Sequence, residues 1–454
     1  MSAQQLRVDI ARLTEAIDPL KTVLVNLRDQ RAVRCDPGRS DRLAVATGHL
    51  ESALAALETD RKESIRHLSA SRAPVDPVAR LPREISTRIF LHLLPFFFVD
   101  DAANLLQVCR AWTKIAQATP GLWTHINSGG TAPGKFKNIL KLWLSRAQRL
   151  PVSLVLDHVD SPIRDIVEEN SHRIHDLAFL LRPEQRDNWE EEIAMISERC
   201  FFDALRSLTI QSSADVDTGL GSLLDSPRHT LNMLRGMPKL EEFTFLFTFY
   251  KSRLQPNTTI LTLPSLRRLS LGKFETEYGH PKVADGQIIG GLRLPALEFL
   301  HIRLNNPEDE THLFHMLDRS SPPLNTLQIS INGMSATVFA CLHSVPRVTQ
   351  LDIAHSLHDK ITSRLFDALA STPSLLPDLR HLRVFGLIGG PSVYASVLKA
   401  LRHRKSRLRS FRFIILGEMT RSLPDAFEPA FRELIAGGMD IFIATDWKRI
   451  NYLL

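Results

Sequence analysis

The sequence predicts a mixed α/β chain in which helices come first and a long array of alternating strands and helices follows. Two observations carry this. A hexapeptide with apolar first, fourth and sixth positions recurs eight times between Leu205 and Phe413, and in six of the eight a proline stands two residues before the opening position. Ahead of that array, residues 1–72 space their apolar side chains by fours and threes, the rhythm of a helix with one sticky face. A chain of 454 residues is too long for one ordinary core and suits small domains joined to an extended repeat array.

Composition narrows the class. Apolar residues make up 44% and charged residues 23%, as in folded soluble proteins. The net charge of +6 and the pI near 9.2 are mildly basic, and Lys and Arg are scattered, which argues against a nucleic-acid interface. Cys35, Cys109, Cys200 and Cys341 are far apart and form no C-x-x-C pair, so neither a disulfide framework nor a zinc knuckle is expected. Reduced, mostly buried thiols are. Met1–Leu20 carries Asp9, Glu15 and Asp18, unlike a signal peptide. The longest apolar run, Leu93–Val99, is far short of a membrane span. The expectation is a cytoplasmic or nuclear protein with no membrane partner and no cofactor.

In order, Leu6, Ile10, Leu13, Ile17, Leu20, Leu24 and Leu27 keep a heptad spacing. Pro19 should kink or shorten that helix. Cys35-Asp36-Pro37-Gly38 breaks the pattern, and Leu43, Leu50, Leu54 and Leu57 resume it. An antiparallel hairpin burying its own seam is favoured over an intermolecular coiled coil, because three heptads with a proline are marginal for a dimer. Pro74 and Pro77 mark a linker. A helical motif occupies Leu81–Trp123, an amphipathic helix runs from Phe136 to Gln148, and Pro151–Leu156 alternates like a strand.

The hexapeptides then follow: Leu205–Ile210, Leu240–Phe245, Leu266–Leu271, Leu297–Ile302, Leu324–Ile329, Val348–Ile353, Leu379–Val384 and Leu408–Phe413. Their starts are 24 to 35 residues apart. Between them His312–Leu317, Thr337–Val345, Ser363–Ala370 and Val393–Arg402 have helical period. One strand and one helix per unit at this spacing is the leucine-rich-repeat period. No unit can bury its apolar edge alone, so neighbours must stack into a solenoid. The Asn or Cys turn position of the tight consensus is missing, so the solenoid is expected to be irregular.

In the motif, Pro82 suits a helix start and Glu84 complements the helix N-terminus. Ile85, Ile89 and Leu93 recur every four residues and Phe90 widens the stripe. Pro95 ends this helix, and Asp100 or Asp101 can cap the next, where Leu105, Val108, Trp112 and Ile115 form a second stripe. Two or three helices in so few residues cannot hide both stripes unaided, so a partner surface is expected.

Leu81-Pro82-x-Glu84-Ile85, Val108-Cys109-Arg110-x-Trp112 and Leu122-Trp123 together resemble the F-box, a three-helix module. The whole layout is similar to the large F-box families of mushroom-forming fungi: an N-terminal coiled stretch, the motif, the Leu142–Arg146 helix, then degenerate leucine-rich repeats. The resulting domain division is 1–72 helical, 78–126 F-box and 136–454 solenoid. The resemblance implies that Leu81, Pro82, Glu84, Ile85, Ile89, Phe90, Leu105, Val108 and Trp112 bind a Skp-family adaptor and through it a cullin. It implies further that the repeats select a protein substrate for ubiquitination by other subunits, so that the chain itself is not an enzyme.

The residues agree with a non-catalytic reading. No Gly-rich phosphate loop, G-x-S-x-G or H-E-x-x-H occurs. His312 and His315 lack a third ligand and are expected to face solvent. Glu190–Glu192 and the basic run Arg402–Arg409 read as solvated helix faces, the latter alternatively as an import signal. An interaction scaffold that recruits no ligase is the alternative function. For substrate, the fifth hexapeptide position points away from the core: Thr209, Thr244, Ser270, His301, Gln328, Asp352, Arg383 and Arg412. With Arg303 and His381 on the same face, His301, Arg383 and Arg412 suggest an electropositive surface for an acidic or phosphorylated segment. Ordinary solvated strand residues remain the competing explanation.

Overall fold

The structure, a computed structural model, describes residues 3–32, 37–72, 81–93, 101–129, 131, 133–181, 202–212, 227–246, 260–272, 285–304, 306–331, 333–355, 359–386, 391–415 and 426–445. The expected linker at Pro74–Pro77, the stretch Pro95–Asp100 with its phenylalanines, Glu190–Glu192, Cys35 and Cys200 lie outside the described residues. The chain divides into two compact units, residues 1–92 with 109–115, and residues 93–108 with 116–454.

In the first unit α1 (Ala3–Ala32) and α2 (Pro37–Arg72) pack against each other. Lys21 pairs with Glu58 at 2.8 Å and Arg28 with Glu51 at 2.6 Å. The partners run in opposite directions along the two helices, so the pair is an antiparallel hairpin. Leu6, Ile17 and Leu24 are buried, and Ile10, Leu13, Leu20 and Leu27 half-buried, so the whole heptad series faces the seam. Pro19 neither ends nor shortens α1, which runs through it. It sits on the exposed side, and Ile17 and Leu24, buried on either side of it, hold the helix in place despite the lost backbone bond. The same unit contains α3 (Arg83–Leu93) and most of α5 (Arg110–Gln117).

The second unit holds α4 (Asp101–Val108), a 3-10 turn (Pro120–Trp123) and an all-parallel sheet. Its strands are β1 (His125–Asn127), β2 (Val152–Leu156), β3 (Ile174–Leu181), β4 (Ser207–Ser212), β5 (Glu242–Leu246), β7 (Arg268–Leu271) and β9 (Phe299–Leu304). They continue with β10 (Thr326–Ile331), β11 (Gln350–His355), β12 (His381–Gly386), β13 (Ser410–Ile415) and β14 (Asp440–Thr445). Among the described residues these twelve pair in sequence order, and β6 (Leu261–Thr262) with β8 (Leu292–Arg293) forms a separate two-stranded sheet. Helices fall between the strands: α6 (Pro133–Arg146), α7 (Ser161–Asn170), α8 (Pro227–Arg235), α9 (Asp285–Gly290), α10 (Pro307–Ser320), α11 (Ala336–His343), α12 (Asp359–Ser371), α13 (Pro391–Arg404) and α14 (Glu428–Ala436).

Every hexapeptide forms a strand, and each strand starts two residues after the opening apolar residue. That residue closes a turn instead. The N–H of Leu240, Leu297, Val348 and Leu379 donates to the carbonyl three residues back at 3.2–3.4 Å, which puts the preceding proline second in the turn, where its fixed φ is an advantage. All three apolar positions are buried in all eight units, each fully buried side chain contributing about 1.5–3 kcal/mol.

Arginines fasten successive units together. Arg404 at the end of α13 is buried and donates to the carbonyls of Leu369, Thr372, Leu375 and Leu376 beyond and within the end of α12. Arg319 of α10 does the same for Ile289 and Gly290 at the end of α9 and for Leu292 beyond it. Arg173 reaches Leu144 and Leu150 at the end of α6. Each guanidinium meets orphan carbonyls at the negative end of a helix dipole. Arg404 was expected on a solvated face with the rest of its basic run. Its burial corrects that: the helix-end carbonyls supply acceptors that water would otherwise provide.

Candidate functional site

The Leu81–Trp123 motif is built locally. The Pro82 carbonyl accepts from Ile85 N–H at 3.0 Å and Ser86 N–H at 3.1 Å, starting α3 at Arg83. Leu81, Pro82, Glu84 and Ile85 are exposed, Leu81 at 39% and Ile85 at 42%, and Ile89 is half-buried. Phe90 is fully buried, its ring 4.8 Å from that of Trp112. The stripe therefore divides, Phe90 turning inward onto Trp112 and Leu81 with Ile85 remaining in water.

The second stripe lies on two helices rather than one. Cys109 interrupts the run, because its carbonyl accepts from Thr113 N–H and its Sγ from Trp112 N–H at 3.5 Å, the bonding of a helix cap. Sulfur here takes the place of the usual cap oxygen. On α4, Leu105 is buried and Val108 is 56% exposed. Farther along, Leu122 and Trp123 are buried, the indole donating to the Ala116 carbonyl at 2.9 Å. The Trp123 ring meets Trp143 edge-on at 5.4 Å, and the Arg146 guanidinium sits 4.5 Å over it. The Leu142–Arg146 helix thus holds the last anchor of the motif.

On the sheet, the fifth hexapeptide positions align in one row. Thr209, Thr244, Ser270, His301, Gln328, Asp352, Arg383 and Arg412 are successive register partners from β4 to β13. His381 and Arg303 lie on the same face, two residues before and after the row. Arg383, Arg412 and His381 are neighbours, whereas His301 and Arg303 stand three strands away, roughly 14 Å at normal strand spacing.

Two of these residues are not solvated strand positions. His301 is 6% exposed and hydrogen-bonded to the Ser270 hydroxyl at 2.9 Å. Burial, helped by the nearby Arg303 charge, pushes its pKa down to about 4. Asp352 is 2% exposed, accepts from Gln328 at 2.9 Å and pairs with Arg383 at 3.7 Å. Burial holds its carboxyl above the usual range against the pull of Arg383 and the two glutamines. The expected electropositive surface is therefore reduced, with His301 neutral and Arg383 partly matched by Asp352. In the strand pattern these positions are indistinguishable from solvated ones; only the cross-strand partners reveal them.

The remaining candidates assemble no reactive site. Among the described residues no three His, Cys, Asp or Glu come together as a metal could require. His312 is part-buried and its pKa is lowered chiefly by burial. The Cys341 thiol, buried beside Glu310, is pushed up to about 12, far from a thiolate nucleophile. No helix among the described residues is long and apolar enough to cross a membrane.

A family model described as F-box-like matches residues 78–128, the segment containing all three anchors. Comparison with curated proteins gives no significant match. An F-box-like segment points to a role in protein interaction, and such domains generally bind Skp-type adaptors and are typically non-enzymatic.

Proposed function

We propose that the chain is the substrate-recognition subunit of a Skp–cullin–F-box ubiquitin ligase. The observation that carries this is the coincidence of the F-box-like match with exposed Leu81 and Ile85. Large apolar side chains at a helix start lose free energy in water and recover it against a partner. In this reading Leu81, Pro82, Glu84, Ile85, Ile89 and Val108 meet a Skp-family adaptor, while Phe90 is packed on Trp112 and Leu105 is buried. The adaptor brings the cullin, and the chain contributes no chemistry of its own. Residues 136–454 act as an irregular leucine-rich-repeat solenoid that presents substrate on the face carrying His301, Arg303, His381, Arg383 and Arg412. The layout is that of the large F-box families of mushroom-forming fungi, working in cytoplasm or nucleus.

Co-purification tests it. The full chain should recover a Skp-family adaptor, and Leu81→Ala with Pro82→Ala should reduce recovery tens-fold, since a lost buried Leu costs about 2–5 kcal/mol. Undiminished recovery by the double variant would overturn the docking assignment. The inward packing of Phe90 and Leu105 favours one other reading, a scaffold that hides its stripes within the chain; no adaptor recovered by the wild type would establish that. Residues 1–72 serve neither role: deleting 1–70 should leave adaptor binding intact. A concentration-dependent dimer abolished by that deletion would replace the hairpin with an intermolecular coiled coil.

A further inference from the structure

We infer that the strand-start edge of the sheet at β12 and β13 docks an acidic helix of a partner protein, one whose carboxylates recur once per turn. This edge is distinct from the polar face assigned to substrate, and the inference does not depend on the ligase reading.

The second hexapeptide position lies in the turn just ahead of each strand. Its carbonyl accepts two N–H bonds from the next unit: Arg206 from Glu241 and Glu242, Thr349 from Arg380 and His381, Arg380 from Arg409 and Ser410, all at 2.8–3.1 Å. These bonds hold successive second positions side by side in one row. Along the row the side chains combine in twos. Arg206 pairs with Glu241 at 3.8 Å and Arg267 with Glu298 at 3.0 Å, and the Thr349 hydroxyl donates to Asn325 Oδ1. The fourth couple is Arg380 and Arg409. Both are exposed, and neither guanidinium makes a hydrogen bond or ion pair to a described residue.

Like charges facing each other on neighbouring strands repel, and the surroundings do not relieve this couple. Arg347, Lys405 and Arg407 are exposed on the same edge, Arg407 turned onto the Pro377 carbonyl at 2.9 Å. Two exposed carboxylates oppose them: Asp378, and Asp440, which accepts from the Ser410 hydroxyl at 3.1 Å. Arg402 and Glu433 face each other at 3.9 Å and cancel. Five cations less two carboxylates leave the edge about three positive charges in excess.

Spacing sets the shape of the partner. Neighbouring strands stand about 4.8 Å apart, and a helix laid along the row advances about 5.4 Å per turn. Carboxylates three or four residues apart on such a helix therefore meet Arg380 and Arg409 in turn, each by a charge-assisted, forked hydrogen bond. Asp378 and Asp440 flank the couple and select against broader anions. A bilayer surface or a nucleic-acid backbone would press charge onto them, whereas a helix with a single acidic stripe leaves them in water.

Two alanine-based helical peptides of identical composition test this on the full-length protein by fluorescence anisotropy. One carries glutamates four residues apart, the other two apart, and a phosphoserine peptide is the third arm. The first peptide should bind at least tenfold more tightly than the second and lose that advantage as salt is added. Arg380→Glu and Arg409→Glu should each weaken it at least tenfold. Because each reversal recreates the Arg–Glu couple of the earlier strands, neither should lower the melting temperature. The double reversal should bind the lysine counterpart of the first peptide instead. Equal affinity for the two glutamate peptides, undiminished binding by both variants, or a tenfold preference for the phosphoserine peptide would overturn the inference. A lower melting temperature in either variant would do the same, by assigning the arginines to the fold. Salt-dependent self-association abolished by the same reversals would put a second copy of the chain on this edge and overturn it as well.

Discussion

The start of α3 and the hexapeptides of the sheet use the same side chains and give them opposite fates. In the hexapeptides every Leu, Ile, Val and Phe at the three apolar positions is buried. At Leu81 and Ile85, side chains of the same size remain about two-fifths exposed. The difference is repetition. Each strand receives a like neighbour on both sides, so its apolar edge is covered by the next copy of itself. The motif occurs once, and its stripe has no such copy. Apolar burial in the sheet holds the fold; the apolar side chains at the start of α3 stay in contact with water.

If that contrast is right, mutations in the two regions should separate stability from binding. The largest loss is expected for Phe411→Ala, whose ring is fully buried between β12 and β14: about 3–5 kcal/mol by urea unfolding. Arg404→Met should follow at about 2–4 kcal/mol, because it strips charged donors from four carbonyls. Next comes a pH effect at His301. Below its ordinary value of 6.5 the unfolded chain takes up a proton that the folded residue refuses until about 4. Its stabilising contribution is therefore complete above about pH 6.5 and lost as pH falls to 4, about 3 kcal/mol across the window. Asp352, held above its ordinary value, works in the opposite direction and gains as pH falls. Urea midpoints of wild type and His301→Gln should hence converge between pH 7 and 4.5; a constant gap would show that His301 is ionised normally. The smallest stability change, within about 0.5 kcal/mol, is expected for Leu81→Ala with Pro82→Ala. A loss of several kcal/mol there would mean that the exposed stripe belongs to the core after all.

How much was legible follows the same divide. The hexapeptides could be read because a strand's apolar positions repeat at fixed spacing and its proline marks the turn. The strands β3 (Ile174–Leu181) and β14 (Asp440–Thr445) were missed: β3 keeps the spacing at Ile174, Leu177 and Phe179 but stands outside the run that begins at Leu205, and in β14 Gly438 takes the opening position. Three residues of β1 carry too little pattern to find. The break at Cys109 was hidden because Leu105, Val108 and Trp112 keep a helical period across it. The burial of His301 and Asp352 was beyond reach for a different reason. It depends on Ser270 and Gln328, residues 31 and 24 positions away in sequence, and no local pattern encodes which polar residue a neighbouring strand will supply. The motif residues were legible in the sequence, but that Phe90 turns inward while Ile85 does not could be seen only in three dimensions.

The arginine fastenings have a consequence for biosynthesis. Arg173, Arg319 and Arg404 reach carbonyls 23 to 35 residues earlier in the chain. During translation each of these helix ends leaves the ribosome before the guanidinium that completes it, and at about 5–20 residues per second waits some seconds for it. Nascent chains halted just before and just after Arg404 should therefore differ sharply in protease resistance at α12, the end of each unit being finished by the one that follows.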